Sequence, residues 1–287
     1  MYPRRVLIGA LAAATALAAI APVAHAAPTD RQPTRAAARA GITIAGGGYA
    51  GWSMPQTSTP RTAMPRAALS SPAPARSTAA TSSVLGIDVA SYQGTVNWKS
   101  WWDLGRRFAY VKATEGNSYR NPEFSEQYTG SYRVGMIRGA YHFGRPDGVT
   151  AAKQARYFVQ HGGGWSADGK TLPGALDIED NYAGPRCYGK TPAQLKKWVK
   201  NFSAEYRRLT GRDVVIYTNS SFWRDCVGNS TAFTTTNPLW IAHWGSQPPS
   251  KLPGGYAYYT FWQYSGTGTD QDRFSASLSQ LKKLATG

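Results

Sequence analysis

Leu172-Pro-Gly-Ala-Leu-Asp-Ile-Glu-Asp180 carries the chemistry of this chain. After the turn residues Pro173 and Gly174 it reads as a short strand in which Leu176 and Ile178 point to one face and Asp177 and Glu179 to the other. Residues two apart on a strand start roughly 6.5 Å from one another. Their carboxyls can therefore flank a single bond. Two acids that close, at the end of an apolar strand, do not both ionise freely, so one pKa rises and supplies a general acid near neutral pH. Paired carboxyls of this kind are the equipment of glycosidic-bond hydrolysis. The same spelling also fits a surface strand end with solvated acids, and the motif alone does not separate the two.

The elements that must position this pair alternate along the chain. Gly86 to Ala90 is β-rich and sets Asp88 on the side opposite Ile87 and Val89; Val96 to Arg107 places Trp98, Trp101, Trp102 and Leu104 at helical spacing. Phe108 to Glu115 reads as a second strand, Pro122 to Val134 as a helix, Ile137 to Phe143 as a third strand and Val149 to Gln160 as a third helix. After the acid-bearing strand comes the clearest helix: Thr191 caps it, Pro192 suits its first turn, Leu195, Trp198, Val199, Phe202, Tyr206 and Leu209 form one stripe, and Gly211 ends it. Val214 to Tyr217, Pro238 to Trp244 and Tyr258 to Tyr264 are further strands, with a short pairing segment at Asp272 to Phe274.

Strand alternating with helix implies a parallel sheet with covered faces, and the strand-only end implies a barrel of βα units closed by a β section. Chemistry in such barrels sits at the carboxyl ends of the strands. Asp88, Glu115, Tyr141, Asp177, Glu179, Tyr217, Trp240, Trp262 and Gln263 all fall there, so one rim collects acids and aromatics, as a sugar-chain site requires.

The N-terminal residues have another character. Arg4 and Arg5, the apolar run Val6 to Ala21 and the small residues of Ala24-His25-Ala26 read as a secretory signal spanning residues 1–26, which places the protein outside the cell with no membrane span after cleavage. Residues 27–83 are rich in Ala, Pro, Ser, Thr and Gly with scattered Arg, and are expected to be a disordered linker or pro-region; Gly41 to Trp52 is its one more apolar patch. Residues 84–287 form the single folded domain. The chain has a net charge of +16, and the folded part keeps 24 basic against 15 acidic residues, a net +9. Such a balance favours an anionic cell envelope; with no Lys/Arg run or nucleic-acid motif, specific nucleic-acid recognition is not expected. Cys187 and Cys226, the only cysteines of an exported chain, are expected to form one disulfide.

Seven motifs then give a resemblance. Gly86-Ile-Asp-Val-Ala-Ser-Tyr-Gln-Gly94, Val111-Lys-Ala-Thr-Glu-Gly116, Gly139-Ala-Tyr-His-Phe143, Leu176-Asp-Ile-Glu179, Ile216-Tyr-Thr218, Leu239-Trp-Ile-Ala242 and Phe261-Trp-Gln-Tyr264 occur in the order seen in family 25 glycoside hydrolases, lysozymes of the N-acetylmuramidase type. The resemblance spans Gly86 to Phe274 and implies a modified TIM-like (β/α)5(β)3 barrel, an α/β fold, that cleaves the β-1,4 bond between N-acetylmuramic acid and N-acetylglucosamine in peptidoglycan glycan strands. It implies Glu179 as acid/base, Asp177 as its partner, Asp88 as the first-strand acid and Asp272 as a further acid after the last strand, with Asp270 only two residues from the last. Asn97 departs from the Asp often found before Trp98 in the family.

Glu115, Tyr141, Tyr217, Trp240, Trp262 and Gln263 are the candidate substrate-binding residues, each of which would serve equally in packing or internal hydrogen bonding. His142 and His243 lack a companion ligand set, and Asp270-Gln-Asp272 lacks the rest of a calcium loop, so neither metal nor cofactor is expected. The protein is expected to act as a monomer. The competing readings are a non-catalytic wall-binding barrel and a chitinase-like hydrolase.

Overall fold

The computed structural model describes residues 83–287 together with Ala50 and Met54. The expected signal segment, and the expected linker apart from Ala50, Met54 and Ser83, lie outside the described residues. Among the described residues no helix is long and apolar enough to cross a membrane.

Nine strands lie in one sheet: β1 (Val84–Val89), β2 (Arg106–Glu115), β3 (Tyr119–Arg120), β4 (Ile137–Phe143), β5 (Ala175–Asp177), β6 (Val215–Asn219), β7 (Leu239–Ala242), β8 (Phe261–Ser265) and β9 (Asp270–Phe274). Their order is β1-β9-β8-β7-β6-β5-β4-β2-β3, and β1 also pairs with β2, so eight strands close into a barrel while β3 folds back on β2. Seven of the eight are parallel neighbours; β9 runs antiparallel between β8 and β1. Helices α1 (Trp98–Asp103), α2 (Phe124–Arg133), α3 (Ala151–Phe158), α4 (Pro192–Thr210) and α5 (Ser220–Cys226) follow β1, β2–β3, β4, β5 and β6; α6 (Leu278–Thr286) ends the chain. No α-helix joins β7, β8 and β9, which is the (β/α)5(β)3 pattern.

Side-chain alternation decides what the barrel holds. Leu176, Ile178, Ile216 and Ile241 face outward into the layer covered by α3, α4 and α5, where Trp198, Phe202 and Tyr206 of the striped helix pack. Each aliphatic side chain so enclosed contributes on the order of 1.5–3 kcal/mol. The inward positions Phe108, Tyr110, Val215, Trp240, Phe261 and Phe274 fill the lower barrel. Room for those rings comes from glycine: a Cβ on Gly86 would lie 2.5 Å from the Phe108 ring, and one on Gly139 would lie 2.3 Å from Tyr110. The lower half is thus a packed aromatic plug, and the polar inward residues are confined to the upper end.

Local signals account for most boundaries. Asn97 accepts the Ser100 amide at 3.1 Å and starts α1, which is shorter than its hydrophobic spacing predicts because Gly105, at φ 85°, turns the chain so that Arg106 and Arg107 open β2. Thr191 and Gln194 form a reciprocal cap at the start of α4, and left-handed Gly211 closes it. The acid-bearing strand is only three residues by ladder pairing, yet its path stays extended beyond Asp177, where the Ile178 amide donates to the Tyr217 carbonyl at 3.0 Å. Helices α5 and α6 are additions to the sequence reading.

Cys187 and Cys226 are bonded, with Cα atoms 5.3 Å apart. The bridge ties the loop after β5 to the end of α5. In the chain-entropy treatment, closing a loop of this length contributes about 4 kcal/mol. A Cys187→Ser/Cys226→Ser protein is therefore expected to need less denaturant to unfold, by an amount equivalent to about 4 kcal/mol; an unchanged midpoint would show that α4 and α5 hold the loop without it.

Candidate active site

The carboxyl end of β5 carries the pair. Asp177 lies opposite Phe143 of β4 and Tyr217 of β6, and the Gly144 amide donates to its carbonyl at 2.8 Å, so its backbone is held on both sides. Neither oxygen of the buried Asp177 carboxyl has a hydrogen-bond partner among the described residues. Burial raises its pKa well above the ordinary carboxylate range; Glu179 raises it further by like-charge repulsion, as do Asp88 and Glu115, while Lys112 works against the shift. The pair thus keeps a proton at pH values where isolated carboxyls have lost theirs. Glu179 is held from behind: the Tyr188 hydroxyl, from the disulfide-bonded loop, donates to the Glu179 carbonyl at 2.9 Å.

Around the pair stands a ring of inward-facing groups. Asp88 on β1 lies opposite Asp270 on β9, and its Oδ2 accepts from Gln263 Nε2 at 2.9 Å. Gln263 Oε1 in turn accepts from the Tyr217 hydroxyl and from Trp244 Nε1, each at 3.0 Å. Tyr141 and Tyr217 have pKa values raised well above the usual phenol value, by burial first; Asp88, Asp177 and Asp270 add to it in both, and Glu179 in Tyr217. Both rings stay neutral and can donate. The structure therefore brings together Asp88, Tyr141, Asp177, Glu179, Tyr217 and Gln263 from five strands or strand ends.

Other sequence candidates lie elsewhere. Asp272 sits one layer deeper, opposite Gly86, and accepts from Trp240 Nε1 at 2.9 Å. Burial raises its pKa, with Asp270 adding to the rise and hydrogen bonds from Asp88 and Trp240 opposing it. The ring member level with Asp88 is Asp270, not Asp272. The Asp-x-Asp spelling put both on the inward face, and only the β1–β9 register separates them. Trp240 is fully enclosed, stacked on Tyr110 with centroids 4.7 Å apart, so its face is occupied by protein. Trp262 points the other way, into the outer layer, and donates to the His243 carbonyl at 2.6 Å. Glu115 is saturated: Lys112 Nζ donates at 2.7 Å, Arg145 Nη1 at 3.2 Å, and the Tyr182 hydroxyl donates as well. Its place is in a charge cluster beneath the rim, which also carries Lys112, the cation that moderates Asp177.

His142 is packed between Phe158 and Phe202, with Nδ1 2.8 Å from Thr114 Oγ1 and Nε2 3.0 Å from Gln154 Oε1. Burial lowers its pKa to about 4. A histidine depressed in the fold contributes stability that is complete above its unfolded pKa near 6.5 and lost as pH falls towards 4, here about 3 kcal/mol. His142→Asn is expected to lower stability at pH 7 and to flatten this part of the decline between pH 6.5 and 4, read from thermal midpoints across that range.

Residues 87–273 match the model of the glycosyl hydrolases family 25. The chain belongs to that family. It is 47% identical over 215 residues to lysozyme M1 of Streptomyces globisporus, covering 72% of this chain and 73% of that one. It is also 47% identical over 214 residues to the N,O-diacetylmuramidase of Chalaropsis sp, covering 71% of this chain and all of the relative. The crystal structure of the bacterial lysozyme from Streptomyces coelicolor superposes with a TM-score of 0.70 at 46% identity, covering 72% of this chain and 99% of that one. This family 25 member is thus a glycoside hydrolase.

Proposed function

We propose that the protein is a secreted lysozyme that hydrolyses the β-1,4 bond between N-acetylmuramic acid and N-acetylglucosamine in peptidoglycan. The observation that carries this reading is Asp177, a buried carboxyl beside Glu179 with no hydrogen-bond partner among the described residues, since an unsatisfied buried acid waits for a ligand group. The relatives named lysozyme and muramidase supply the substrate class.

Glu179 gives its proton to the glycosidic oxygen as the bond breaks and takes one back from the attacking water. Asp177 either attacks the anomeric carbon or accepts the N–H of a substrate acetamido group whose oxygen does so; both routes retain the anomeric configuration. Asp88, bridged to Gln263, and Asp270 hold the field that keeps a proton on the pair. Tyr141 supplies a neutral hydroxyl donor to the sugar, while Tyr217 gives its proton to Gln263 Oε1 and fixes that amide. Once residues 1–26, which carry Arg4 and Arg5, are removed, the net charge falls from +16 to +14, which favours adsorption to an anionic envelope.

Peptidoglycan and soluble chitooligosaccharides, offered separately, test the substrate class. Release of soluble muropeptides with chitooligosaccharides left intact is expected; cleavage of the oligosaccharides alone would make the protein a chitinase-like hydrolase, and wall binding with no cleavage of either would make it a binding protein.

A further inference from the structure

Ala50, far from the barrel in sequence, is fully buried inside it. Its amide donates to the Tyr141 hydroxyl at 3.5 Å and its carbonyl accepts from Gln263 Nε2 at 3.2 Å. Those are two of the groups that ring Asp177, and Gln263 uses the same Nε2 to hold Asp88. Ala50 belongs to the hydrophobic cluster of the barrel interior, and Met54, half-buried, packs against that cluster too. With Ala50 in this place, Asp88, Asp177, Glu179 and Asp270 are each 2% exposed or less, and Tyr141, Tyr217 and Gln263 are not exposed at all. A polymeric sugar cannot reach groups that the chain has enclosed.

The chemistry of the occupant fits the place. Ala50 offers a carbonyl acceptor, an N–H donor and a methyl group, the same three features that an acetamido substituent presents. Gly41 to Trp52, its sequence context, is the one apolar patch in an otherwise polar stretch.

We infer that Ala50 is part of a built-in inhibitor: it occupies the catalytic end of the barrel and must leave before a glycan strand binds. The inference rests on the lysozyme reading for what is inhibited. Its occupancy of the barrel is a separate physical fact with a separate readout. If the segment sits in place nine-tenths of the time, only a tenth of the molecules are competent, and expelling it raises kcat/KM about tenfold.

Two variants of the full chain make the test. Ala50→Trp does not fit an enclosed site, and Ala50→Pro removes the N–H that Tyr141 accepts; neither residue belongs to the catalytic machinery. Both are expected to digest peptidoglycan about tenfold faster than the parent at sub-saturating substrate, with a thermal midpoint lowered by only about 2–5 °C, as the loss of a segment bound nine-tenths of the time implies. Hydrogen exchange of peptides spanning Ala50 in the parent is expected to show protection that soluble peptidoglycan fragments remove. Exchange at the rate of an open chain would overturn the inference whatever the activities are. A protected Ala50 with all three chains equally active would overturn inhibition. Absence of cleavage by every chain would count against the lysozyme reading, while the exchange result would still decide whether the segment fills the cleft.

Discussion

Glu179→Gln is expected to lower kcat on peptidoglycan by about 10³-fold, within the range that a positioned general acid contributes. The amide keeps the shape of the carboxyl and cannot deliver a proton. The backbone of residue 179 is fixed independently of the side chain, by the Tyr188 hydroxyl on its carbonyl and by the disulfide-bonded loop from which Tyr188 comes. Wall binding and the far-ultraviolet spectrum should therefore match the parent, and the loss should fall on kcat rather than KM. A variant that retains a tenth or more of parental kcat would move the acid to another member of the ring.

Asp177→Asn is expected to separate activity from stability in opposite directions. In the proposed mechanism the substitution removes the group that attacks the anomeric carbon or holds the acetamido group, so activity should again fall by about 10³-fold. The fold, however, should gain. Burial and the neighbouring acids raise the Asp177 pKa in the native state, with Lys112 only partly offsetting them. An acid whose folded pKa exceeds its unfolded value costs nothing below the unfolded pKa and destabilises progressively as pH rises through the folded one. Asparagine removes that cost, so its thermal midpoint should exceed the parent's at pH 7 and the difference should shrink towards pH 4. A less stable variant at pH 7 would mean that Asp177 is held by attraction to Lys112 more strongly than it is penalised by burial. The stability gained on losing a functional acid is the usual signature of a strained active site.

Much of this arrangement was legible in the sequence because period-2 alternation is a strict rule. Once Leu176 and Ile178 face the helices, Asp177 and Glu179 must face inward, and the same logic places Asp88 opposite Ile87 and Val89. The first four helices and the strand-only closure followed from where apolar stripes and caps stop, whereas α5 and α6 were not read that way. What alternation cannot give is height along the barrel axis. Asp270 and Asp272 share a face, and their difference depends on an antiparallel register set by residues far away in sequence. It also cannot tell an aromatic that lines a groove from one enclosed by neighbours: Trp240 is walled in by Tyr110, Tyr141, Tyr217 and Phe261, and Trp262 lies on the outward side of a strand whose Gln263 turns inward. Glu115 sits at a strand end as a binding residue would, yet Lys112, Arg145 and Tyr182 consume its acceptor capacity. Ala50 was beyond any pattern, since nothing in its immediate sequence states which surface it meets.

The measurement that reaches the central claim most directly is identification of the new reducing ends by mass spectrometry after purified peptidoglycan has been digested by the protein and, in parallel, by its Glu179→Gln variant. The account requires N-acetylmuramic acid ends from the parent and none above background from the variant. N-acetylglucosamine ends would keep the hydrolase and contradict the bond assignment, and equal ends from both proteins would contradict the role given to Glu179.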